Sequence, residues 1–243
     1  HGSAYEVIAD ESAYYVVGNG KGQQLLKVPY SGKEYEALDL REAYRQGLKW
    51  VGKKILVHTT LEPQEAHNSL LVVDSSSMKP IHSIVYEAGK TGLWSLVKDN
   101  FVYVVGANHI FRFDTTTGES KETNYEGLKA CPKENENTIW TMALYQRGSL
   151  SERYPILVQY DLNLRKLAEI RLTSVVTFES VGNCHIVDFV DNTLIGVFSD
   201  RVFGFDLKRK EKSWDYRIHH SSCHFEPVLN NGTLYVTDKV GIL

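Results

Sequence analysis

One short pattern returns along this chain at nearly constant intervals, and that recurrence constrains the fold more tightly than composition does. A run rich in Val, Ile, Tyr and Phe closes on an aspartate at Asp74, Asp114, Asp161 and Asp206, with Pro29 holding the first place in the series. The spacing is about 45 residues, the scale at which one supersecondary unit is copied along an array. In such an array each unit hides its apolar faces only against its neighbours, so the architecture follows from the repeat itself.

Within a unit the residues divide into four short segments enriched in β-branched and aromatic side chains and separated by turn formers, which predicts four strands, a to d. The third unit runs Leu96-Val97-Lys98-Asp99-Asn100-Phe101-Val102-Tyr103-Val104-Val105 and then Ile110-Phe111-Arg112-Phe113-Asp114. The fifth runs His185 to Phe198 and then Arg201-Val202-Phe203-Gly204-Phe205-Asp206. Expected a-to-b turns fall at Asp10–Ser12, Gly52–Lys54, Lys98–Asn100, Asp191–Asn192 and Asn230–Gly232, where small polar residues accept positive φ. The c-to-d turns are expected at Tyr30–Gly32, Asp74–Met78, Asp114–Gly118, Asp161–Asn163 and Asp206–Lys208. A single stretch carries helix signals: Asp39 as cap, Glu42 three residues on and Gly47 as stop predict one or two helical turns.

Four-stranded antiparallel units at this period build β-propeller blades. The expectation is therefore an all-β chain, with residues 4–243 forming one propeller domain of about six blades. The sixth unit starts at His224–Leu229 and Thr233–Thr237 and stops at Leu243, inside its expected c-strand. That last blade is expected to be incomplete or closed by the N-terminal strand.

The fifth unit, Val202-Phe203-Gly204-Phe205-Asp206 followed by Trp214, resembles the blade pattern of quinoprotein-like (PQQ-like) propellers, in which a Tyr-x-Leu-Asp strand end leads to a Gly and then a Trp. The third unit repeats the Asp114 and Thr117-Gly118 half without the Trp. WD-repeat propellers look similar at this depth, although Trp214-Asp215 falls on the d-strand rather than at the usual WD place. The resemblance implies the scaffold and no cofactor.

Composition removes several classes of function. A net charge of -3 supplies no broad basic field for nonspecific nucleic-acid binding. No apolar run approaches the roughly 18 residues of a membrane span. Three cysteines, Cys131, Cys184 and Cys223, form no disulfide framework, which points to a reducing, cytoplasmic location. His1-Gly2-Ser3 has the look of a tag remnant, and Asn231-Gly232-Thr233, formally a glycosylation acceptor, falls at an expected hairpin turn.

Strand order assigns the b-to-c and d-to-a connections to one face. The sequence gives them the long segments: Glu36 to Gly47, His58 to Ser69, Lys121 to Lys133, Tyr145 to Pro155, Leu172 to Asn183 and Arg217 to Ser222. Loops beyond the structural minimum are where binding residues collect. Tyr145, Arg147, Arg153 and Tyr154, with Glu62 and His67 on the same face, are the candidate partner-binding residues, since Tyr and Arg dominate interface hot spots. Cys184-His185 and Cys223-His224 align between units five and six and form a weak candidate metal set, with Cys131 near the same place in unit four. Neighbours on one strand face opposite ways, so each pair offers one ligand, and packing accounts for a buried Cys equally well. No nucleophile elbow, phosphate loop or His-Glu-x-x-His occurs, and Gly18-Asn19-Gly20-Lys21-Gly22 lies between two strands rather than before a helix. The reading is a non-catalytic protein-interaction module, a monomer if the ring closes and a dimer if it stays open. The alternative is a metal-dependent hydrolase, lyase or lactonase with its site at the channel mouth.

Overall fold

The computed structural model describes residues 4–19, 23–41, 43–61, 67–87, 95–105, 109–124, 128–146, 153–172, 184–198, 201–218 and 228–236. Among them there is no helix, and the strands form five four-stranded sheets and one two-stranded sheet. Sheet 1 holds β1 (Ala4–Ala9), β2 (Ala13–Asn19), β3 (Gln23–Pro29) and β4 (Glu36–Arg41). Sheet 2 holds β5 (Ala43–Val51), β6 (Lys54–Leu61), β7 (His67–Asp74) and β8 (Lys79–Glu87), and sheet 3 holds β9 (Ser95–Lys98), β10 (Phe101–Val105), β11 (His109–Asp114) and β12 (Ser120–Asn124). Sheet 4 comprises β13 (Leu128–Asn135), β14 (Thr138–Gln146), β15 (Arg153–Asp161) and β16 (Lys166–Arg171). Sheet 5 comprises β17 (Cys184–Val190), β18 (Thr193–Phe198), β19 (Arg201–Asp206) and β20 (Glu211–Arg217), and β21 (Val228–Asn230) pairs with β22 (Thr233–Tyr235). Every sheet follows chain order, so each of the five four-stranded sheets is an a–b–c–d meander as the repeat predicts.

The chain divides into two compact units, one of residues 1–107 and 111–121 and the other of residues 108–110 and 122–243. In the first, Ala13, Tyr15, Val17 and Leu25 of sheet 1 share a core with Leu48, Ile55, Val57 and Val73 of sheet 2. The opposite face of sheet 2 buries Val51, Leu56, Leu70, Val72 and Tyr86 with Val102, Val104 and Phe113 of sheet 3. Consecutive residues of β6 thus serve two different cores, which is why Ile55-Leu56-Val57 reads as an unbroken apolar run instead of an alternation. In the second unit Trp140, Met142, Leu157, Ile170 and Leu172 pack with Ile186, Leu194, Phe198, Phe203 and Phe205. Burying a ring such as Phe203 or Phe205 contributes roughly 1.5–3 kcal/mol, and the cores between sheets 1 and 2, 2 and 3, and 4 and 5 each hold several such side chains.

The segment with helix signals is a strand. Leu38 lies opposite Leu25, Asp39 opposite Gln24 and Arg41 opposite Gln23, so Glu36–Arg41 completes sheet 1. Leu38 and Leu40 alternate against the first core, and that packing overrides the local cap-and-stop pattern.

The recurring aspartates occupy one turn position. Asp74 Oδ1 accepts from the Ser77 amide at 2.8 Å, Asp114 Oδ1 from Thr116 at 2.7 Å, Asp161 Oδ1 from Asn163 at 2.9 Å and Asp206 Oδ1 from Lys208 at 2.9 Å. A left-handed residue then redirects the chain: Met78 (φ 53°), Gly118 (φ 80°), Leu164 (φ 63°) and Lys210 (φ 58°). Only Gly118 is the residue type that conformation favours. A Cβ there would also lie 2.7 Å from His82 Nδ1, whose ring reaches across from β8 with Nε2 3.0 Å from the Thr116 carbonyl.

Two expected outcomes follow from these turns. Gly118→Ala destabilises by about 1–3 kcal/mol through the forbidden φ and the His82 contact, whereas Lys210→Gly is neutral or stabilising by up to about 1 kcal/mol; urea melts of both variants check the opposite signs. The second concerns acid. The Ser76 hydroxyl, the Ser77 amide and the Ser77 hydroxyl hold Asp74 at about 2. Desolvation pushes Asp10 upward, but hydrogen bonds from the Ser12 amide and hydroxyl, the Tyr15 hydroxyl and the Ala13 amide outweigh it and hold Asp10 at about 2 as well. Carboxyls held below their unfolded value, about 3.9, stabilise the fold above about pH 4 and lose that contribution as pH falls towards 2. The melting temperature therefore drops over that interval, and the Asp10→Asn/Asp74→Asn double variant shows a lower value at neutral pH and a shallower acid slope.

Candidate functional site

The residues singled out for partner binding lie at the b-to-c ends of sheets 2 and 4. The β14–β15 hairpin pairs over nine positions, and its last two place Tyr145 opposite Tyr154 and Gln146 opposite Arg153. Three of the candidates, Tyr145, Arg153 and Tyr154, are thus brought together on adjoining strand positions instead of being spread along a loop. Arg147 lies just outside the described residues. In sheet 2 His67 opens β7, opposite Leu61 on one side and Glu87 on the other, and Glu62 lies outside the described residues.

The connections on this face are shorter than the sequence suggested, because strand pairing extends into them. Glu42 alone separates β4 from β5, and residues 125–127 separate β12 from β13, where a connection from Lys121 to Lys133 was expected. The larger gaps that remain are 62–66, 88–94, 147–152, 173–183 and 219–227. Sequence reasoning missed β13 and its hairpin, although Glu136 and Asn137 at φ 47° and 61° form a turn of the same kind as the other a-to-b turns. Asn135-Glu136-Asn137 was the available signal.

Beneath the loop end of sheet 2 lies a buried polar layer that the sequence did not reveal. His58, Thr59, Asn68 and Ser69 are buried, as is Tyr86. His58 Nε2 meets the Tyr86 hydroxyl in a short hydrogen bond, and Asn68 Nδ2 donates to the same oxygen at 3.4 Å. On the other face of the strands the Thr59 and Ser69 hydroxyls lie 2.5 Å apart. Burial is the leading influence on the Tyr86 phenol and pushes its pKa well above the ordinary value, against a smaller lowering by Asn68. The tilted Tyr86 ring also stacks near Phe111, at 5.4 Å between centroids, so the polar layer is sealed by the core of sheets 2 and 3. These residues fix strand ends that lead into His67 and Glu62. The signal was the polar quartet His58, Thr59, Asn68 and Ser69 inside two otherwise apolar strands.

The metal candidates are only partly placed. Cys184 and His185 are adjacent on β17, opposite Phe198 and Val197, so they belong to alternate faces of sheet 5. Cys131 lies on β13 opposite Met142. Cys223 and His224 lie outside the described residues, and among the described residues no group of three or more His, Cys, Asp and Glu is assembled for a metal.

Removing the central hydroxyl of the polar layer, by Tyr86→Phe, leaves His58 and Asn68 short of a buried partner. The expected cost is about 1–3 kcal/mol, measured by chemical denaturation with the far-ultraviolet circular dichroism spectrum unchanged.

No protein-family model and no curated protein matches this chain. Solved structures do. The WD40 domain of Neurospora crassa Pan2 superposes with a TM-score of 0.61 at 10% identity, covering 98% of this chain and 72% of that one. A dihydro-heme d1 dehydrogenase, NirN, in complex with DHE gives 0.63 at 14% identity over 91% of this chain and 48% of the other. The CNH domain of AfRom2 gives 0.60 at 10% identity, with 98% and 78% covered. At such low identity the likeness concerns the fold alone: the chain is a degenerate β-propeller, with five complete four-stranded blades and a two-stranded sixth among the described residues.

Proposed function

We propose that this propeller is a protein-interaction module that binds its partner through the b-to-c end of its blades, with Tyr145, Arg153 and Tyr154 at the centre of the contact and Arg147, His67 and Glu62 around it. The observation that supports this reading most directly is the register of the β14–β15 hairpin, where Tyr145 faces Tyr154 and Arg153 follows at the next position. Aromatic residues supply large contact area at little conformational cost, and arginine adds directional hydrogen bonds, so a cross-strand Tyr pair flanked by Arg is well suited to anchor an interface. A hairpin with nine consecutive pairs presents these groups on a backbone that is already ordered before binding. WD40-type neighbours support an interaction role for the scaffold in general, and the assignment of this hairpin is our own.

Affinity capture from native extract, with the protein as bait, tests it. The Arg147→Glu/Arg153→Glu variant is expected to retain about a tenth or less of the captured partner at an unchanged melting temperature. A control reversal on the opposite turns, Lys208→Glu/Lys210→Glu, is expected to leave capture intact. Equal capture by the wild type and the Arg147/Arg153 variant would remove this surface from the interface.

A further inference from the structure

The Asn231-Gly232-Thr233 triad forms the tip of the β21–β22 hairpin. Asn230 lies opposite Thr233, so Asn231 and Gly232 are the two loop residues, and both take left-handed backbone at φ 49° and 75°. An Asn-Gly pair suits such a turn, since both central positions need positive φ. Asn230, Asn231, Gly232 and Thr233 are all exposed. A Cβ built on Gly232 would meet nothing within 4 Å, and the Gly232 amide has no hydrogen-bond acceptor among the described residues.

Asparagine also stands in other a-to-b turns, at Asn100, Asn137 and Asn192, but there Phe101, Thr138 and Thr193 follow it. A following side chain crowds its own amide nitrogen and stiffens the backbone around it, most of all when it is β-branched. Glycine removes both obstacles. Attack of the Gly232 nitrogen on the Asn231 side chain requires the peptide between them to rotate, and the open space around Gly232 leaves that rotation unobstructed. An exposed loop tip also lies at the low end of local opening free energies.

We propose that Asn231 is a site of spontaneous deamidation through a succinimide formed with the Gly232 amide, and that its isoaspartyl product loosens the β21–β22 hairpin from sheet 5. The Gly232 nitrogen gives up its proton and bonds to Asn231 Cγ, the Cγ–Nδ2 bond breaks, and the side-chain nitrogen leaves as ammonia. Water then opens the ring. Addition at Cγ gives aspartate, and addition at the former backbone carbonyl gives isoaspartate, with no change of oxidation state. The isoaspartyl form routes the main chain through Cβ and Cγ, which lengthens a two-residue loop, and it adds a negative charge to a chain already at -3. A longer loop disturbs the register that places Leu229 and Leu234 against Val187, Ile195, Val197, Val202 and Ile218. This site is separate from the Tyr145 hairpin, and either reading can fail without the other.

The test incubates the full chain in neutral buffer at physiological temperature and, in parallel, unfolded in urea. Peptide mapping by mass spectrometry follows each asparagine, and methylation by a protein isoaspartyl methyltransferase counts isoaspartate. Native conversion at Asn231 is expected within about tenfold of the urea rate, and at least about tenfold faster than at Asn100, Asn137, Asn192 or the adjacent Asn230. Amide exchange in β21 and β22 is expected to be about tenfold faster in the separated isoaspartyl form than in the Asn231→Asp variant, which carries the same charge on an ordinary backbone. A native rate further below the urea rate, or conversion led by one of those other asparagines, would overturn the site. Equal exchange in the isoaspartyl form and Asn231→Asp would overturn the loosening.

Discussion

Face-to-face burial of consecutive sheets is the interaction on which everything else in this protein rests. Each complete sheet has four short strands, too few to stabilise a hairpin stack alone, and gains its stability from apolar side chains packed against a neighbouring sheet of its own unit. Sheet 2 shows this best, with Ile55, Val57 and Val73 turned one way and Leu56, Leu70 and Val72 the other. The polar layer of His58, Asn68 and Tyr86 is accommodated inside that sandwich through the hydrogen bonds that His58 Nε2 and Asn68 Nδ2 make to the Tyr86 hydroxyl.

The turns are the second constraint. Strands of four to nine residues in the four-stranded sheets must reverse direction at matched places if side chains are to keep their faces, since a slip of one residue would exchange the two cores. An aspartate that caps its own turn at Asp74, Asp114, Asp161 and Asp206 sets that place in four successive units. Loop-end residues then inherit their positions from this register, which is how Tyr145 comes to face Tyr154.

Much of the fold was readable in the amino-acid sequence because its two determinants are local. Period-two apolar runs identified most strands, and the Asp, Asn and Gly turn residues marked nearly all reversals. The exceptions have physical causes. Asp39 to Gly47 carried a cap and a stop at helical spacing, but these residues fall at the end of β4 and the start of β5, where Leu38, Leu40 and Leu48 are held by the core that sheets 1 and 2 share, which local pattern does not display. Leu128–Asn135 was hidden because Lys129, Cys131, Pro132, Lys133 and Glu134 interrupt any alternation, and the strand is specified by its partner β14. The candidate site was half readable. Residue type pointed to Tyr145, Arg153 and Tyr154, while their apposition required the hairpin register.

Every strand of the described sheets pairs with a strand adjacent in sequence, so no hydrogen-bonded ladder spans more than one unit of the repeat. Closing such short segments costs little chain entropy, and low contact order of this kind favours rapid, stepwise ordering. A chain emerging from the ribosome can therefore complete sheet 1 and dock it on sheet 2 before sheets 4 and 5 exist. Ordering can then proceed sheet by sheet, in the direction of synthesis.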